Sequence, residues 1–468
     1  MKVNPIRSNG GRSSRRRFLE STAVAGAALA GAASIAPRAM AQATPEALGT
    51  ASGDLTEWGF GIQETNPLAR ARVLAFEEAY PDVNLEIVES FDEQTLLTAA
   101  ASDTLPDVIW LSRFQTAAWA SRGVLAPLTE YIERDAYDTS AFYDWAIEEA
   151  SWEDEIYGIP GGADVRALYM NLDHLSEIDV DGTTIDTSDW EGLSEIGGQL
   201  VVRDGDVIER WGFDHRCQAN NFWLWGTGNG GSFMNEDGTE VTFNDEANVE
   251  ALEWAYEAYE AQGGYQDYQT ISSSWQGDEQ FARGEVAMSV YEQWMLSSAV
   301  STISPDLNFW IQPIRDWGSG PDGPSTTFSG GNGWYITSGA QNPDAAWEFI
   351  KFLHTDETWM IGAQAVKDQR QEAGNPYFPS LTGKISADQR QIEELYEPIN
   401  EAFDHAVELF PTILDTSISR EISRSPAGGQ LEPIMLNDGI IPALSGEQSA
   451  QDALDTANDA AQSEIDFL

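Results

Sequence analysis

Short apolar runs alternate with helix-forming segments near the start of the chain, and this alternation constrains the fold more than any other feature. Residues 55–60, 83–88 and 106–111 have the composition of strands. Residues 67–80 and 96–102, which separate them, have helical spacing. Strands separated by helices predict βαβ units and a parallel sheet. In such sheets, ligands bind beyond the carboxyl ends of the strands.

The rest of the chain repeats this α/β pattern less regularly. The sequence predicts helices at 247–261, 275–284 and 343–353, strands at 286–291, 309–313 and 333–337, a Gly/Pro/Ser loop at 316–329, and mostly helix from about 386. A length of 468 residues suggests two or three domains or one large two-lobed unit. With 42% hydrophobic residues and 17 Trp, packed cores are expected.

The charge is strongly acidic, with 77 Asp plus Glu against 25 Lys plus Arg and a net charge of −52. Nucleic acid and anionic membrane surfaces are therefore excluded as general partners. Only four of the basic residues are Lys: Lys2, Lys351, Lys367 and Lys384. An acidic, Lys-poor surface suits molar salt, where self-repulsion is screened. Binding of cations by the carboxylates is the alternative, but the acids are spread along the whole chain.

The first 41 residues have the features of an export signal. Ser14-Arg15-Arg16-Arg17-Phe18-Leu19 precedes a small, apolar run, and Ala39-Met40-Ala41 matches a cleavage site. The run is too short and Gly/Ala-rich for a membrane span. The segment resembles a twin-arginine signal, with Glu20 where Lys is usual. This resemblance implies export of the folded protein to the periplasm or extracellular face, and no Cys follows that would indicate a lipid anchor. Residues 42–53 are interpreted as a flexible leader.

Enzymatic and metal chemistry find little support in the sequence. Cys217 is the single Cys, which excludes an intrachain disulfide, and His215 beside it does not complete a zinc site. The chain contains no nucleophile-elbow, H-E-x-x-H, P-loop or dinucleotide motif. Paired acids are uninformative among 77, so a secreted glycoside hydrolase stays a remote alternative. We predict a binding protein, not an enzyme, without a cofactor or metal.

Seven short motifs occur in an order that points to a known family. They are F-E-E-A-Y-P-D-V at 76–83, L-P-D-V-I-W at 105–110, G-V-L-A-P-L at 123–128, I-Y-G-I-P at 156–160, L-Y-M-N at 168–171, F-A-R-G-E-V-A-M at 281–288 and D-A-A-W-E-F-I-K at 344–351. Over about residues 54–465, the chain resembles the extracellular solute-binding proteins of sugar-type ABC importers, the group that includes maltose-binding protein. Met170 departs from the usual Y-Y-N.

The resemblance implies a periplasmic-binding-protein fold: two α/β lobes, a hinge of several crossings, and a ligand held in the cleft between the lobes. Lobe one is expected at 54–158 plus 313–370, and lobe two at 159–312 plus 371–468. The closed, monomeric form is expected to deliver a sugar to the transmembrane subunits of an ABC permease.

Sugars offer hydroxyl groups and apolar C–H faces, so their binders need flat aromatic rings and planar polar groups. Seven Trp fall at predicted strand ends or loops, and we expect three or four of them to touch ligand: Trp58, Trp110, Trp223, Trp225, Trp275, Trp294 and Trp334. Trp254, Trp347 and Trp359 lie on helical apolar faces and are expected in cores. The polar candidates from the same loops are Gln63, Glu64, Asp164, Arg166, Glu292 and Asn332.

Two charged ligands remain alternatives to a neutral sugar. Glycerol phosphates would require clustered basic groups, for which only Arg166, Arg203, Arg210 and Arg216 are available. Polyamines would prefer boxes of acidic and aromatic side chains, which this chain could build. A neutral sugar is favoured because the family motifs are of the sugar type.

Overall fold

A computed structural model of the protein describes residues 45–219, 221–276 and 278–467. The predicted twin-arginine signal and residues 42–44 of the predicted leader lie outside the described residues. Within the described part of the chain, no helix is both long and apolar enough to cross a membrane.

Within the described residues, the strands fall into two five-stranded sheets and two short pairs. Their bounds are β1 Gly53–Trp58, β2 Val83–Val88, β3 Val108–Ser112, β4 Ser151–Trp152, β5 Glu155–Ile156, β6 Gly158–Pro160, β7 Arg166–Asn171, β8 Val202–Asp204, β9 Val207–Asp214, β10 Val286–Glu292, β11 Phe309–Gln312, β12 Thr327–Phe328, β13 Asn332–Ile336 and β14 Ser417–Ile418.

The α-helices cover both large sheets. Their bounds are α1 Pro67–Ala79, α2 Glu93–Ala101, α3 Thr116–Ser121, α4 Thr129–Asp135, α5 Asp144–Glu149, α6 Leu172–Ser176, α7 Trp190–Leu200, α8 Phe222–Gly228, α9 Glu246–Glu260, α10 Tyr265–Ser272, α11 Ser301–Ile303, α12 Pro343–Leu353, α13 Asp356–Glu372, α14 Ile385–Arg390, α15 Glu401–Asp415, α16 Gly428–Ile434, α17 Ile441–Leu444 and α18 Ala450–Asp466.

Sheet I has the order β2-β1-β3-β13-β6 and forms the centre of lobe one. Strand β1 runs parallel to β2 and β3, whereas β13 is antiparallel to β3 and β6. Helix α1 begins where the Asn66 side chain accepts a hydrogen bond from the amide of Ala69, with Pro67 in the first turn. It buries Val73 and Phe76 on one face of the sheet. The predicted βαβ start of the chain is confirmed.

Sheet II has the order β11-β7-β10-β9-β8 and forms the centre of lobe two. Strand β10 is antiparallel to β7 and parallel to β9. One face packs into a core that contains Trp211 and Phe213, and the other into a core that contains Tyr169 and Phe309. All four side chains are buried, so sheet II is covered on both sides, as its nearly continuous apolar strands require.

The prediction of a helix at 275–284 is wrong, because the described residues of this segment form turns that lead into β10. Trp275 packs against one core of lobe two and Phe281 lies in the other. Because its side chains pack into the cores on both sides of sheet II, the segment has apolar residues at helical spacing without forming a helix. The loop predicted at 316–329 contains the short strand β12, which pairs with β14.

Two short connections join the sheets. Residues 161–165 lead from β6 in sheet I to β7 in sheet II, and residues 313–331 lead from β11 back to β13. Both leave or enter at the edge where the parallel strands have their carboxyl ends, so these edges of the two sheets face each other. This is the position at which sheets of this kind bind ligands.

Candidate functional site

The edge of sheet I is aromatic. Trp58, the last residue of β1, is half-buried, and its ring centroid lies 6.0 Å from that of Phe91. Trp110 lies 5.3 Å from Phe60 and 4.7 Å from Trp334, and Phe60 lies 4.6 Å from Trp334. The sequence therefore identified three of these rings, and the structure adds Phe60 and Phe91 to them.

Trp110 and Trp334 support the connection between the lobes as well as the edge. A Cβ atom added at Gly161 would lie 2.3 Å from the indole of Trp110 and 2.6 Å from Nε1 of Trp334. The connecting chain thus lies directly on both rings, which explains the glycine at this position. Trp334 is fully buried, so the prediction that its face stacks on ligand is not supported by the fold.

The edge of sheet II is ionic. Glu292, the last residue of β10, lies opposite Arg166, the first residue of β7. Its carboxylate pairs with two guanidinium groups, Nη2 of Arg166 at 3.2 Å and Nη1 of Arg216 at 2.9 Å. Arg166 also pairs with Asp164 at 2.5 Å. Three predicted site residues, Asp164, Arg166 and Glu292, are therefore brought together, and Arg216 completes the group.

Aromatic rings cover the guanidinium groups of this ionic edge. The Cζ atom of Arg216 lies 3.9 Å from the ring centroid of Tyr291, and that of Arg166 lies 4.1 Å from the ring centroid of Phe328. Contacts of this kind favour a cation that is partly removed from water. The charges are thus held in fixed positions, with their polar atoms directed along the edge of the sheet.

The two buried acids at this edge differ in their pKa values. Burial raises the pKa of Asp164, but the guanidinium of Arg166, the amide of Gly330 and the charge of Arg420 outweigh it and bring the pKa below the usual value. Burial also raises the pKa of Asp214, here to about 6, against the opposing effects of Arg216 and a hydrogen bond to Tyr268. Asp164 is therefore ionised at neutral pH, and Asp214 titrates near neutrality.

Trp294 is the most exposed of the predicted aromatic platforms. It follows β10 by two residues, 42% of its surface is exposed, and its ring lies 5.2 Å from Tyr291 at an angle of 77°. Trp275 is half-buried and stands edge-on to Tyr268 at 5.7 Å. Trp58 and Trp294 thus offer the best available faces, one from each lobe.

The structure corrects the expectation that Trp223 and Trp225 lie at a strand end or loop. Both lie in α8 and are buried, and Trp225 packs against Trp190 and Trp254 at 4.8 and 4.5 Å. The indole N–H of Trp225 donates to the carbonyl of His215 at 2.9 Å. The segment is helical instead, and Gly226 and Gly228 allow it to pack closely against Phe233 and Trp190.

The remaining polar candidates lie on the sheet I side. Gln63 is exposed and donates to Glu89, and the exposed Glu64 pairs with Arg70 at 3.5 Å. Asn332 begins β13, and its carbonyl oxygen accepts a hydrogen bond from Arg113. None of these three reaches the ionic edge, and the exposed pairings are the solvated contacts expected of loop residues.

The lobes also meet beside the aromatic edge. Arg420 of lobe two stands 4.0 Å over the ring of Phe114, which follows β3. A cavity of about 340 Å³ lies between α2 and α3 on one side and α16 and α18 on the other. Trp119 and Arg122 line it from lobe one, and Gln430 lines it from lobe two. The walls of this cavity therefore come from both lobes.

Sequence reasoning missed Arg113, Arg420, Phe91 and Tyr291. Tyr291 could have been found, because it is the last residue of the strand predicted at 286–291, whereas Arg113 lies two residues beyond the strand predicted at 106–111. Arg420 comes from a segment distant in sequence, where no local pattern signals it. Among the described residues, no group of three or more His, Cys, Asp and Glu side chains is arranged to hold a metal ion. Cys217 is buried and free.

The sequence family described as "Bacterial extracellular solute-binding protein" matches residues 71–367, more than half of the chain. The chain belongs to this family. Among curated relatives, this solute-binding protein is 26% identical over 324 residues to the arabinooligosaccharide-binding protein of Halalkalibacterium halodurans, covering 65% of this chain and 68% of the relative. It is 23% identical over 395 residues to the maltodextrin-binding protein MdxE of Bacillus subtilis, covering 81% and 82%.

Solved structures show the same fold for the solute-binding protein. The ABC substrate-binding protein Lmo0181 from Listeria monocytogenes, in complex with cycloalternan, superposes with a TM-score of 0.70 at 20% identity. The match covers 89% of this chain and 100% of the other. The predicted two-lobed fold is therefore confirmed.

Proposed function

We propose that this protein is the exported carbohydrate-binding component of an ABC importer. It closes on a sugar in the cleft between the lobes and delivers it, as a monomer, to the transmembrane subunits of the permease. Family membership supports the binding role, and the names of the relatives support an oligosaccharide ligand. The site contributes an aromatic edge for C–H faces and an ionic edge for hydroxyl groups.

The observation that supports a neutral ligand is that Arg166 and Arg216 both pair with the carboxylate of Glu292. Arg166 and Arg216 each contact Glu292, and Arg166 also contacts Asp164. A phosphate would have to displace these partners and leave buried carboxylates unpaired, which is costly. A polyamine would meet carboxylates already neutralised by arginine. The ionised groups instead suit hydroxyl groups, which both donate and accept hydrogen bonds.

The other arginines considered for a phosphate site are occupied elsewhere. Arg203 pairs with Asp267 at 2.7 Å, and Arg210 pairs with Glu177 at 2.7 Å. They come from β8 and β9, at the opposite border of sheet II from β11. They therefore do not join Arg166 and Arg216 to form a cluster.

The ligand class can be tested by calorimetry on the mature chain. Neutral oligosaccharides of arabinose, glucose and mannose are compared with spermidine and glycerol 3-phosphate. Saturable binding of at least one neutral sugar, with a rise in melting temperature, is expected. Binding of the phosphate or the polyamine alone contradicts the proposal. Chromatography of the sugar after long incubation tests the accompanying proposal that the protein performs no hydrolysis.

We also propose export through the twin-arginine pathway and adaptation to high salt. Replacement of Arg15 and Arg16 by Lys is expected to block export, because the signal is read through its guanidinium pair. Normal secretion of this variant indicates another route.

With a net charge of −52, the chain is expected to unfold on dialysis from molar salt to about 0.1 M, where the Debye length grows to about 10 Å. An unchanged circular dichroism spectrum in both buffers contradicts the adaptation.

A further inference from the structure

Arg113 occupies the turn directly after β3 and is fully buried. Its guanidinium donates three hydrogen bonds to backbone carbonyl oxygens: Nη1 to Gly162 at 2.6 Å and to Asn332 at 2.8 Å, and Nη2 to Gly330 at 2.8 Å. Its own amide donates to the carbonyl of Gly331 at 3.1 Å. Arg113 is thus bonded to the chain at four places, three through its side chain and one through its amide.

These carbonyls belong to two different connections between the lobes. Gly162 lies in the connection from β6 to β7, whereas Gly330 and Gly331 lie at the end of the connection from β11 to β13. The two connections also bond to each other, since the amide of Asp164 donates to Gly330 at 3.2 Å and the amide of Gly330 donates to Oδ1 of Asp164 at 2.8 Å. We call Arg113 and these two segments the hinge clamp.

The clamp leaves no room for side chains at its centre. Gly331 has φ +134°, and a Cβ atom there would lie 2.3 Å from the carbonyl oxygen of Gly162 and 2.9 Å from Nη1 of Arg113. Two glycine backbones and one guanidinium group are therefore packed directly together. This close contact places the hydrogen bonds of Arg113 where both connections pass between the lobes.

The charge of Arg113 is balanced by a buried acid. Glu149, whose side chain is fully buried, lies 3.4 Å from Nε of Arg113 and 3.2 Å from Nη2 of Arg420. A buried cation without such a partner is strongly unfavourable. Glu149 therefore supplies the counterion for a guanidinium that donates in several directions.

The clamp is connected to the ionic edge through Gly330. The carbonyl of Gly330 accepts from Arg113, and its amide donates to Asp164, which pairs with Arg166. Arg166 in turn pairs with Glu292. A continuous series of hydrogen bonds and ion pairs thus runs from Arg113 in lobe one to the edge of sheet II.

We propose that Arg113 is a positioning residue for ligand binding, which fastens the two connections to each other so that the lobes close about one fixed point. Hinge closure depends on a few residues that absorb the change in backbone angles. If the connections were free to move separately, closing on a ligand would have to order them, and this entropy would be lost from the affinity. The effect on affinity rests on the proposed sugar-binding function; the clamp itself does not.

The test replaces Arg113 by Lys, which keeps the charge beside Glu149 but cannot direct donors to three carbonyls. The matched control is Arg134→Lys, because Arg134 lies in α4 of lobe one, 48% of its side chain is exposed, and it pairs with Asp135 and Asp344, both at 2.8 Å. Hydrogen exchange is measured without ligand at the amides of Asp164 and Gly330. We expect exchange there to accelerate at least about tenfold in Arg113→Lys and to stay unchanged in the control.

Sugar affinity is then measured by calorimetry on the same three proteins. We expect the dissociation constant of Arg113→Lys to rise about tenfold, with that of the control unchanged. Unchanged exchange at both amides overturns the clamp. Faster exchange with unchanged affinity overturns its role in binding. If the parent protein binds no sugar, the proposed function fails, and hydrogen exchange still decides on the clamp.

A second variant, which should restrict the connection rather than loosen it, tests the proposal if Arg113→Lys does not fold. A Cβ atom at Gly162 would meet open space, and the residue does not have positive φ. Gly162→Ala should therefore restrict the connection without displacing Arg113. We expect exchange that is no faster than in the parent and a dissociation constant that is equal or about two- to fivefold lower. Weaker binding by this variant overturns the proposal.

Discussion

The two edges that face each other in the cleft are built differently. At sheet I, Trp110 of β3 and Trp334 of β13 pack on each other and on Phe60, which follows β1. At sheet II, Arg166 and Glu292 stand directly opposite in the antiparallel register of β7 and β10. Trp110 and Trp334 also stand opposite each other in the register of β3 and β13, so both pairs depend on register. They differ in chemistry, because the rings bury apolar surface, whereas the ion pair holds charged groups in place. One edge therefore provides apolar surface, and the other fixes the positions of polar groups.

The comparison predicts that the largest loss follows removal of the shared acid at the ionic edge. Glu292→Ala removes the carboxylate that pairs with Arg216 and leaves the largely buried Arg166 with Asp164. We expect a destabilisation of about 3–5 kcal/mol together with loss of sugar binding. Glu292→Gln keeps one acceptor and should be intermediate. Urea unfolding and calorimetry measure the two effects. A denaturation midpoint like that of the parent in Glu292→Ala shows that the arginines do not depend on this acid.

The partly exposed rings, Trp58 at the edge of sheet I and Trp294 beyond β10 of sheet II, predict the reverse pattern, with affinity changing more than stability. Trp294→Ala and Trp58→Ala each remove a partly exposed ring, and we expect sugar affinity to fall by about ten- to a hundredfold. Stability should change little for Trp294, which is 42% exposed. The core variant Trp225→Ala serves as the control, with an expected cost of about 3–5 kcal/mol of folding free energy. Unchanged affinity in both edge variants excludes these rings as platforms.

The sequence predicted the fold better than the site, and particular residues show why. Strand β2 and helix α12 depend on local patterns, and both appear with the expected bounds. The burial of Trp225 depends on contacts with Trp190 and Trp254, which are distant in sequence. Likewise, a lone Arg113 carries no signal of the three carbonyls it joins. The predicted lobe boundaries and the ligand contacts of individual residues remain predictions.

A smaller effect is expected from the pH dependence of the ionic edge. Burial raises the pKa of Asp214 to about 6, although Arg216 and Tyr268 oppose this shift. Because the native state binds this proton more tightly than the unfolded chain, the contribution of Asp214 to stability is full below about pH 4 and is lost as the pH rises through about 6. Relative to the parent, Asp214→Asn should therefore gain on the order of 1–2 kcal/mol between pH 4 and pH 7. Parallel stability profiles of the two proteins contradict this assignment.

The smallest effect on stability is expected for an ion pair that lies outside the cleft. Arg283 and Glu279 form an ion pair one helical turn apart in sequence, with 44% and 32% of their side chains exposed. Water screens such a pair and its side chains lose entropy on pairing, so Glu279→Ala should cost less than about 0.5 kcal/mol. This cost should vanish in molar salt, where the Debye length is about 3 Å, whereas the cost of Glu292→Ala should persist because its partners are largely buried. Urea midpoints of both variants at two salt concentrations measure the difference. An equal salt dependence in the two variants means that the ionic edge is as hydrated as the surface, and then the positions of its charges are not fixed by burial.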